Sequence, residues 1–312
     1  MQKFIWSSRK LVSMAPPPKL IAIDIDGTLL PTTGTHISDR NRRALLAAQS
    51  AGIEVVIATG RRQAYATPLI HPIGLSNFTI MITSNGTVTR TLGGDRIDRF
   101  TLPVATALEL CPVLRRFGGT TVFTFDHEGP GELVLESIDQ LHARIALWVE
   151  ANRSSIAEVR PLERAFDSGE APVQGMVCGT VHAMREAHLW LEDSDLAAKI
   201  ELHRTEYPAR DLTILDILPP GCSKGVALRR LAQSRGFAPS DLMAIGDNFN
   251  DLEMLESVGR PVVMANAAPG LIEIAHTRGW QLTASNDDDG VALAVESVLD
   301  SCSVQSSEAA AL

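Results

Sequence analysis

Five short, nearly continuous apolar runs that end in polar or small residues constrain this chain more than any other feature. KLIAIDI carries Asp24 at its end, with Asp26 following. IEVVIATG ends on Thr59 and Gly60, TIMITSNG on Ser84 and Asn85, LMAIGD on Asp247, and PVVMANA closes the series. A run of this length bounded by turn signals suits a strand buried on both faces, the usual state of a parallel sheet. Helical patterns separate the runs. Ser38 reads as the N-cap of a helix through Leu45, Leu46 and Ala48 that stops at Gly52, and Ser223 opens a helix ending near Gly236. NDLEMLESVG forms a short helix, and a last helix spans 290–300. Strand, helix, strand at this spacing builds βαβ units, so the expected fold is α/β, a doubly wound, Rossmann-like parallel sheet with helices on both faces.

The pattern changes after Gly86. Residues 88–217 mix shorter strands (TTVFTF, GELVLES, VQGMVCG, LTILDIL) with helices near 104–116, 138–151 and 183–192, punctuated by glycine turns. This stretch reads as an inserted α+β domain with its own small core. The main core is then 19–87 and 218–302, with 1–18 a flexible extension in which Met14 is a second candidate start, and 303–312 a disordered tail. A length of 312 residues suits two such domains. Ligands of open α/β sheets bind at the carboxyl edge of the strands, and an insert after the third strand would lie over that edge.

A formal charge of −9 argues against a nucleic-acid surface. No apolar stretch reaches the ~20 residues of a membrane span. Cys111, Cys178, Cys222 and Cys302 form no CxxC pair, which fits a reducing cytoplasm better than disulfides or zinc. The chain reads as soluble and cytoplasmic, and its oligomeric state is not legible.

In a parallel sheet the polar strand ends converge, so segments far apart in sequence meet. Asp24 is a candidate nucleophile, because a carboxylate ionised at neutral pH can form an acyl phosphate. Asp26, two residues on, can protonate a leaving oxygen and later take a proton from water. Thr59 and the backbone N–H groups beside it, Gly60 among them, can hold phosphoryl oxygens. Lys224, at a helix N-terminus, supplies fixed positive charge. Asp24 and Asp247 together repel each other unless a cation joins them, and Mg²⁺ suits an oxygen-only site.

DIDGTLL, ATGR, SKG and GDNFND, in this order, resemble the four signature motifs of the haloacid dehalogenase superfamily. The branch most similar is the Cof-type phosphatases, with a C2-type cap inserted between the second and third motifs. LDILPPGCSKGVAL, MANAAPGLIEIA and NDDDGVA also resemble that branch, whereas the insert matches mainly in length and placement. The resemblance implies Mg²⁺-dependent hydrolysis of a small phosphorylated metabolite through a phospho-aspartate. It implies Asp24 as nucleophile, Asp26 as acid/base, Thr59 and Lys224 on phosphate, and Asp247 on the metal. It further implies the Asp26 backbone carbonyl as a metal ligand, Asn250 near the phosphate, and Asp251 supporting the metal or Lys224. Arg61 and Asn85 are expected to shape the pocket floor or hinge, or to touch substrate.

A chance DxDGT arises on the order of once in several hundred chains of this length, so three further motifs in order remove coincidence. GDNFND is a poor calcium loop, because Phe249 stands where that loop needs a side-chain oxygen. The acidic turn 286–289 is expected to cap the last helix. Cys222 is expected to be partly exposed and incidental. Two alternatives remain open: a sugar phosphomutase or other phosphotransferase, and a non-catalytic binding protein on the same fold. A dehalogenase reading leaves Asp26 without a task, since halide departs unprotonated.

Overall fold

The computed structural model describes residues 16–138, 145–207 and 210–309, with side chains up to residue 300. The chain begins with β1 (Leu20–Ile23), α1 (Asp39–Ser50), β2 (Glu54–Ala58), α2 (Gln63–Ile70), β3 (Ile80–Thr83), β4 (Val88–Thr91) and β5 (Arg96–Arg99). An inserted unit follows: α3 (Val104–Arg116), β6 (Thr120–Thr124), β7 (Leu133–Leu135), α4 (Ala146–Ala151), β8 (Ile156–Glu158), β9 (Gln174–Gly179), α5 (Val181–Glu192), β10 (Glu201–Tyr207) and β11 (Leu212–Leu218). The chain then returns through α6 (Lys224–Arg235), β12 (Leu242–Gly246), α7 (Leu252–Glu256), β13 (Arg260–Val263), α8 (Pro269–Arg278), β14 (Gln281–Leu282) and α9 (Gly290–Ala309).

The large sheet runs β14-β13-β12-β1-β2-β3-β4-β5. Pairing is parallel from β14 to β3 and antiparallel beyond. Side chains alternate along each strand, so Ile21, Ile23, Val55 and Ile57 face α1, α2 and α9, while Leu20, Ala22, Val56 and Ala58 face α6, α7 and α8. Both faces are therefore core, which explains the uninterrupted apolar runs. Burial of each large aliphatic side chain contributes ~1.5–3 kcal/mol, so polar residues are tolerated only where the strands stop.

The insert forms a separate six-stranded sheet, β10-β11-β9-β6-β7-β8. Its α3 and α5 cover one face through Leu110, Leu114, Met184 and Leu191. Arg62, at the start of α2, ties this unit to the core. Its guanidinium bonds Glu132, Asn152 Oδ1 (2.6 Å) and Ser155 Oγ (3.1 Å).

Three expectations need correction. Residues 88–99 belong to the large sheet, not to the insert, because the chain reverses at Ser84, Asn85 and Gly86 (φ 48°, 53° and 97°) and Val88 pairs back onto Thr83. The insert starts near residue 100. The last helix continues through Ala309, where a disordered tail was expected from 303, since no glycine or proline interrupts the sequence there. The turn 286–289 does not cap α9 with its acids. Asp287 accepts from the Thr32 N–H (2.8 Å) and Asp289 from Ser38 Oγ (2.5 Å), and Asn41 Oδ1 takes the Ala292 N–H instead (2.8 Å). Residues 1–15, 139–144 and 310–312, including much of the expected extension, part of the 138–151 helix and the end of the tail, lie outside the described residues.

Candidate active site

Strand β1 stops at Ile23, and Asp24 is the first residue past it, its N–H still bonded to Ile245 O (3.1 Å). The chain turns at Gly27 (φ 78°), where an added Cβ would lie 2.3 Å from Asp247 Oδ2. Glycine here brings the loop after β1 against the loop after β12. Thr28 Oγ1 completes that contact, donating to Asp247 Oδ1 (2.8 Å).

Lys224 opens α6 behind the cap Ser223, whose Oγ accepts from the Val226 N–H (2.9 Å). Gly86 makes room for this helix start, since a Cβ there would meet Ser223 O at 2.1 Å. The ammonium is 1% exposed and donates to Asp24 Oδ1 and Asp251 Oδ1, each at 2.7 Å. Asp251 Oδ2 accepts the N–H groups of Asp247 (3.0 Å) and Asn248 (3.2 Å). Both Asp251 oxygens thus serve the protein, fixing Lys224 and the loop that carries Asp247.

On the opposite flank, Arg61 grips Asp26 with two bonds, Nε to Oδ2 (2.7 Å) and Nη2 to Oδ1 (2.5 Å), and stacks on Tyr65. Thr59 is fully buried and its Oγ1 accepts from the Arg61 N–H (3.1 Å). Gly60 lies against the Asn85 side chain, 3.1 Å from where its Cβ would be. Asn85 accepts from Asn250 Nδ2 at 3.2 Å. All ten residues singled out from the sequence (Asp24, Asp26, Thr59, Gly60, Arg61, Asn85, Lys224, Asp247, Asn250 and Asp251) gather at the strand ends on this edge of the sheet. Thr28, Arg62 and Asp216, which bonds Asn85, were not foreseen. Asp216 carried a signal, an acid inside the apolar strand LTILDIL.

Burial pushes the Asp24 carboxyl up to about 7, against the pull of Lys224 and with help from Asp251 and Asp26. Asp247 is raised well above its usual range, first by burial and then by Asp24 and Asp251. Burial opposes charge on Lys224 too, but Asp24 and Asp251 outweigh it and raise its pKa, so it stays charged. One ammonium against three buried acids leaves negative charge uncompensated. Oxygens of Asp24, Asp247 and Asp251 lie within 4.8 Å of one another. The cluster therefore fits a divalent cation that prefers oxygen ligands. With both Asp251 oxygens engaged elsewhere, Asp24 and Asp247 would be the carboxylates to hold one. Cys222 is buried, contrary to expectation, and burial pushes its thiol up to about 11, far from a reactive thiolate.

A family model described as haloacid dehalogenase-like hydrolase matches residues 21–295. The chain belongs to this family. The haloacid dehalogenase-like hydrolases similar to it include a 5-amino-6-(5-phospho-D-ribitylamino)uracil phosphatase, YwtE, of Bacillus subtilis, 30% identical over 90% of this chain and 98% of the relative. HMP-PP phosphatase of Escherichia coli is 31% identical over 83% of this chain and 88% of its own length. A solved structure of a haloacid dehalogenase-like hydrolase from Bacteroides thetaiotaomicron superposes with a TM-score of 0.72 at 26% identity, covering 90% of this chain and 99% of that one. This family member is accordingly an enzyme of the phosphatase class, as its named relatives are. No helix among its described residues is long and apolar enough to cross a membrane.

Proposed function

We propose that the chain hydrolyses phosphate monoesters of small metabolites, with Mg²⁺, through a phosphoryl group carried on Asp24. The observation that carries this reading is Lys224, buried and bonded at 2.7 Å to both Asp24 and Asp251, beside a second acid, Asp247. So much fixed charge, buried at strand ends, is costly for stability alone; Lys224 together with a divalent cation held by the acids would offset the negative charge of a phosphoryl group.

In the first half-reaction an Asp24 oxygen attacks phosphorus and the bond to the leaving oxygen breaks. Asp26 gives that oxygen a proton. In the second, water attacks phosphorus, surrenders a proton to Asp26, and inorganic phosphate leaves with Asp24 restored. Thr59, the Gly60 N–H, Asn250 and Lys224 hold the phosphoryl oxygens. Arg61 orients Asp26 in the substrate-free state, and loosening one of its two bonds frees an oxygen for the proton. Asp24, Asp247 and the Asp26 carbonyl would hold Mg²⁺, which supplies charge neutralisation between carboxylate and phosphate.

Phosphate release from a panel of phosphorylated metabolites, sugar phosphates and heterocyclic phosphates included, tests the reading. Release with Mg²⁺ and none with EDTA is expected. Wild-type protein that binds Mg²⁺ yet hydrolyses neither these nor 4-nitrophenyl phosphate would refute it.

Cation binding has a readout independent of turnover. The folded-state pKa of Asp24, about 7, lies above its unfolded value, so without a cation the ionised site weakens the fold increasingly as pH rises toward 7. A bound cation removes that penalty. Added Mg²⁺ should raise Tm by several degrees at pH 8 and by much less at pH 5, measured by thermal melts at both pH values. An equal rise at both, or none, would count against the site.

A further inference from the structure

We propose that Asp216, a buried carboxylate of the inserted unit, is a positioning residue that sets the orientation of the Asn250 amide through Asn85. This rests on the reading of the Asn250 region as a phosphoryl-binding site.

Asp216 lies on β11, two residues before that strand ends and hands the chain back to the core. It is 6% exposed, and its carboxylate meets two side-chain amides: Asn85 Nδ2 on Oδ2 (2.9 Å) and Gln174 Nε2 on Oδ1 (2.5 Å). Burial pushes the carboxyl up to about 6 and the two amides pull it back, and with each oxygen taking an amide N–H it stands here as an acceptor. An ionised carboxylate only accepts hydrogen bonds. Asn85 must therefore turn its NH₂ toward Asp216, which leaves its oxygen facing the other way. Asn250 Nδ2 donates to that oxygen at 3.2 Å.

Donors thus run in one direction, from Asn250 to Asn85 to Asp216, and the acceptor-only group at the end fixes both amides. Asn85 cannot relax by moving. It is 1% exposed, sits in the left-handed region (φ 53°), bonds Thr59 O through its own N–H (3.0 Å) and packs against Gly60. Only a flip of its amide is open to it, and Asp216 forbids the flip. Asn250, three residues past Asp247, then keeps one N–H on Asn85 and its second for a phosphoryl oxygen. The relay crosses from insert to core, so the insert contributes to the phosphate side of the site. A neutral amide at 216 can donate as well as accept, and it releases both flips.

The test compares Asp216→Asn with Asp216→Glu, which keeps the acceptor-only character. Inorganic phosphate binding is measured by calorimetry with Mg²⁺ present, and kcat/KM with 4-nitrophenyl phosphate and with a bulkier metabolite phosphate. D216N should weaken phosphate binding about tenfold and lower kcat/KM by a similar factor for both substrates, the range typical of groups that orient ligands from behind. D216E should stay close to wild type. Equal losses in both variants, no loss in D216N, a loss confined to the bulkier substrate, or failure of D216N to fold would each overturn the proposal. Calorimetry does not need turnover, so a wild-type protein that binds phosphate without hydrolysing esters would defeat the phosphatase reading and leave the relay measurable.

Discussion

Asp24→Asn is expected to lower turnover by roughly 10⁴-fold or more while the fold survives, because the amide keeps the acceptor for Lys224 but cannot attack phosphorus. Stability should move the other way. Asp24 is a buried acid whose folded-state pKa, about 7, exceeds its unfolded value, so its ionisation opposes folding from roughly pH 4 upward and fully above pH 7. Asparagine carries no such penalty. In EDTA, the variant should therefore melt above wild type at pH 8, with the gap closing toward pH 4. A variant that melts lower at pH 8, or that retains wild-type rates, would contradict the role given to Asp24.

Lys224→Met is expected to be the most damaging single change to the fold. The ammonium is the only cation bonded to Asp24 and Asp251 among the described residues, and all three groups are buried. Removing it leaves buried carboxylates without a counter-ion, a loss of about 3–5 kcal/mol. The loss should grow as pH rises, since protonation relieves the stranded acids at low pH. Urea unfolding at pH 5 and pH 8 measures it. A change below ~1 kcal/mol at pH 8 would mean that the acids find another neutralising group.

The core and the edge where the candidate site residues gather were readable from the chain because both follow from one rule. A strand buried on both faces excludes polar side chains until it ends, so Asp24, Thr59, Asn85 and Asp247 announced both the strand ends and the shared edge. Lys224 was placed by its cap, Ser223. What could not be read was pairing between distant side chains. Nothing in periodicity says that Asp251 would use both oxygens on Lys224 and its own loop, or that Arg61 would take Asp26 and its neighbour Arg62 the insert. The boundary at 88 was misplaced for a related reason. Three successive residues with positive φ reverse the chain at 84–86, and Ser84 and Asn85 pay the strain of a turn that composition alone does not reveal. Residues beyond the turn then pair antiparallel with β3, where the alternation in VTRT is too short to distinguish core from insert.

Rapid acid quench of the enzyme mixed with a ³²P-labelled ester, followed by peptide mapping, tests the central claim most directly. Label should appear on the peptide containing Asp24 within the first turnover, be released by hydroxylamine as an acyl phosphate is, and be absent from the asparagine variant. Steady phosphate release with no label on that peptide, under conditions that trap a control acyl phosphate, would contradict it.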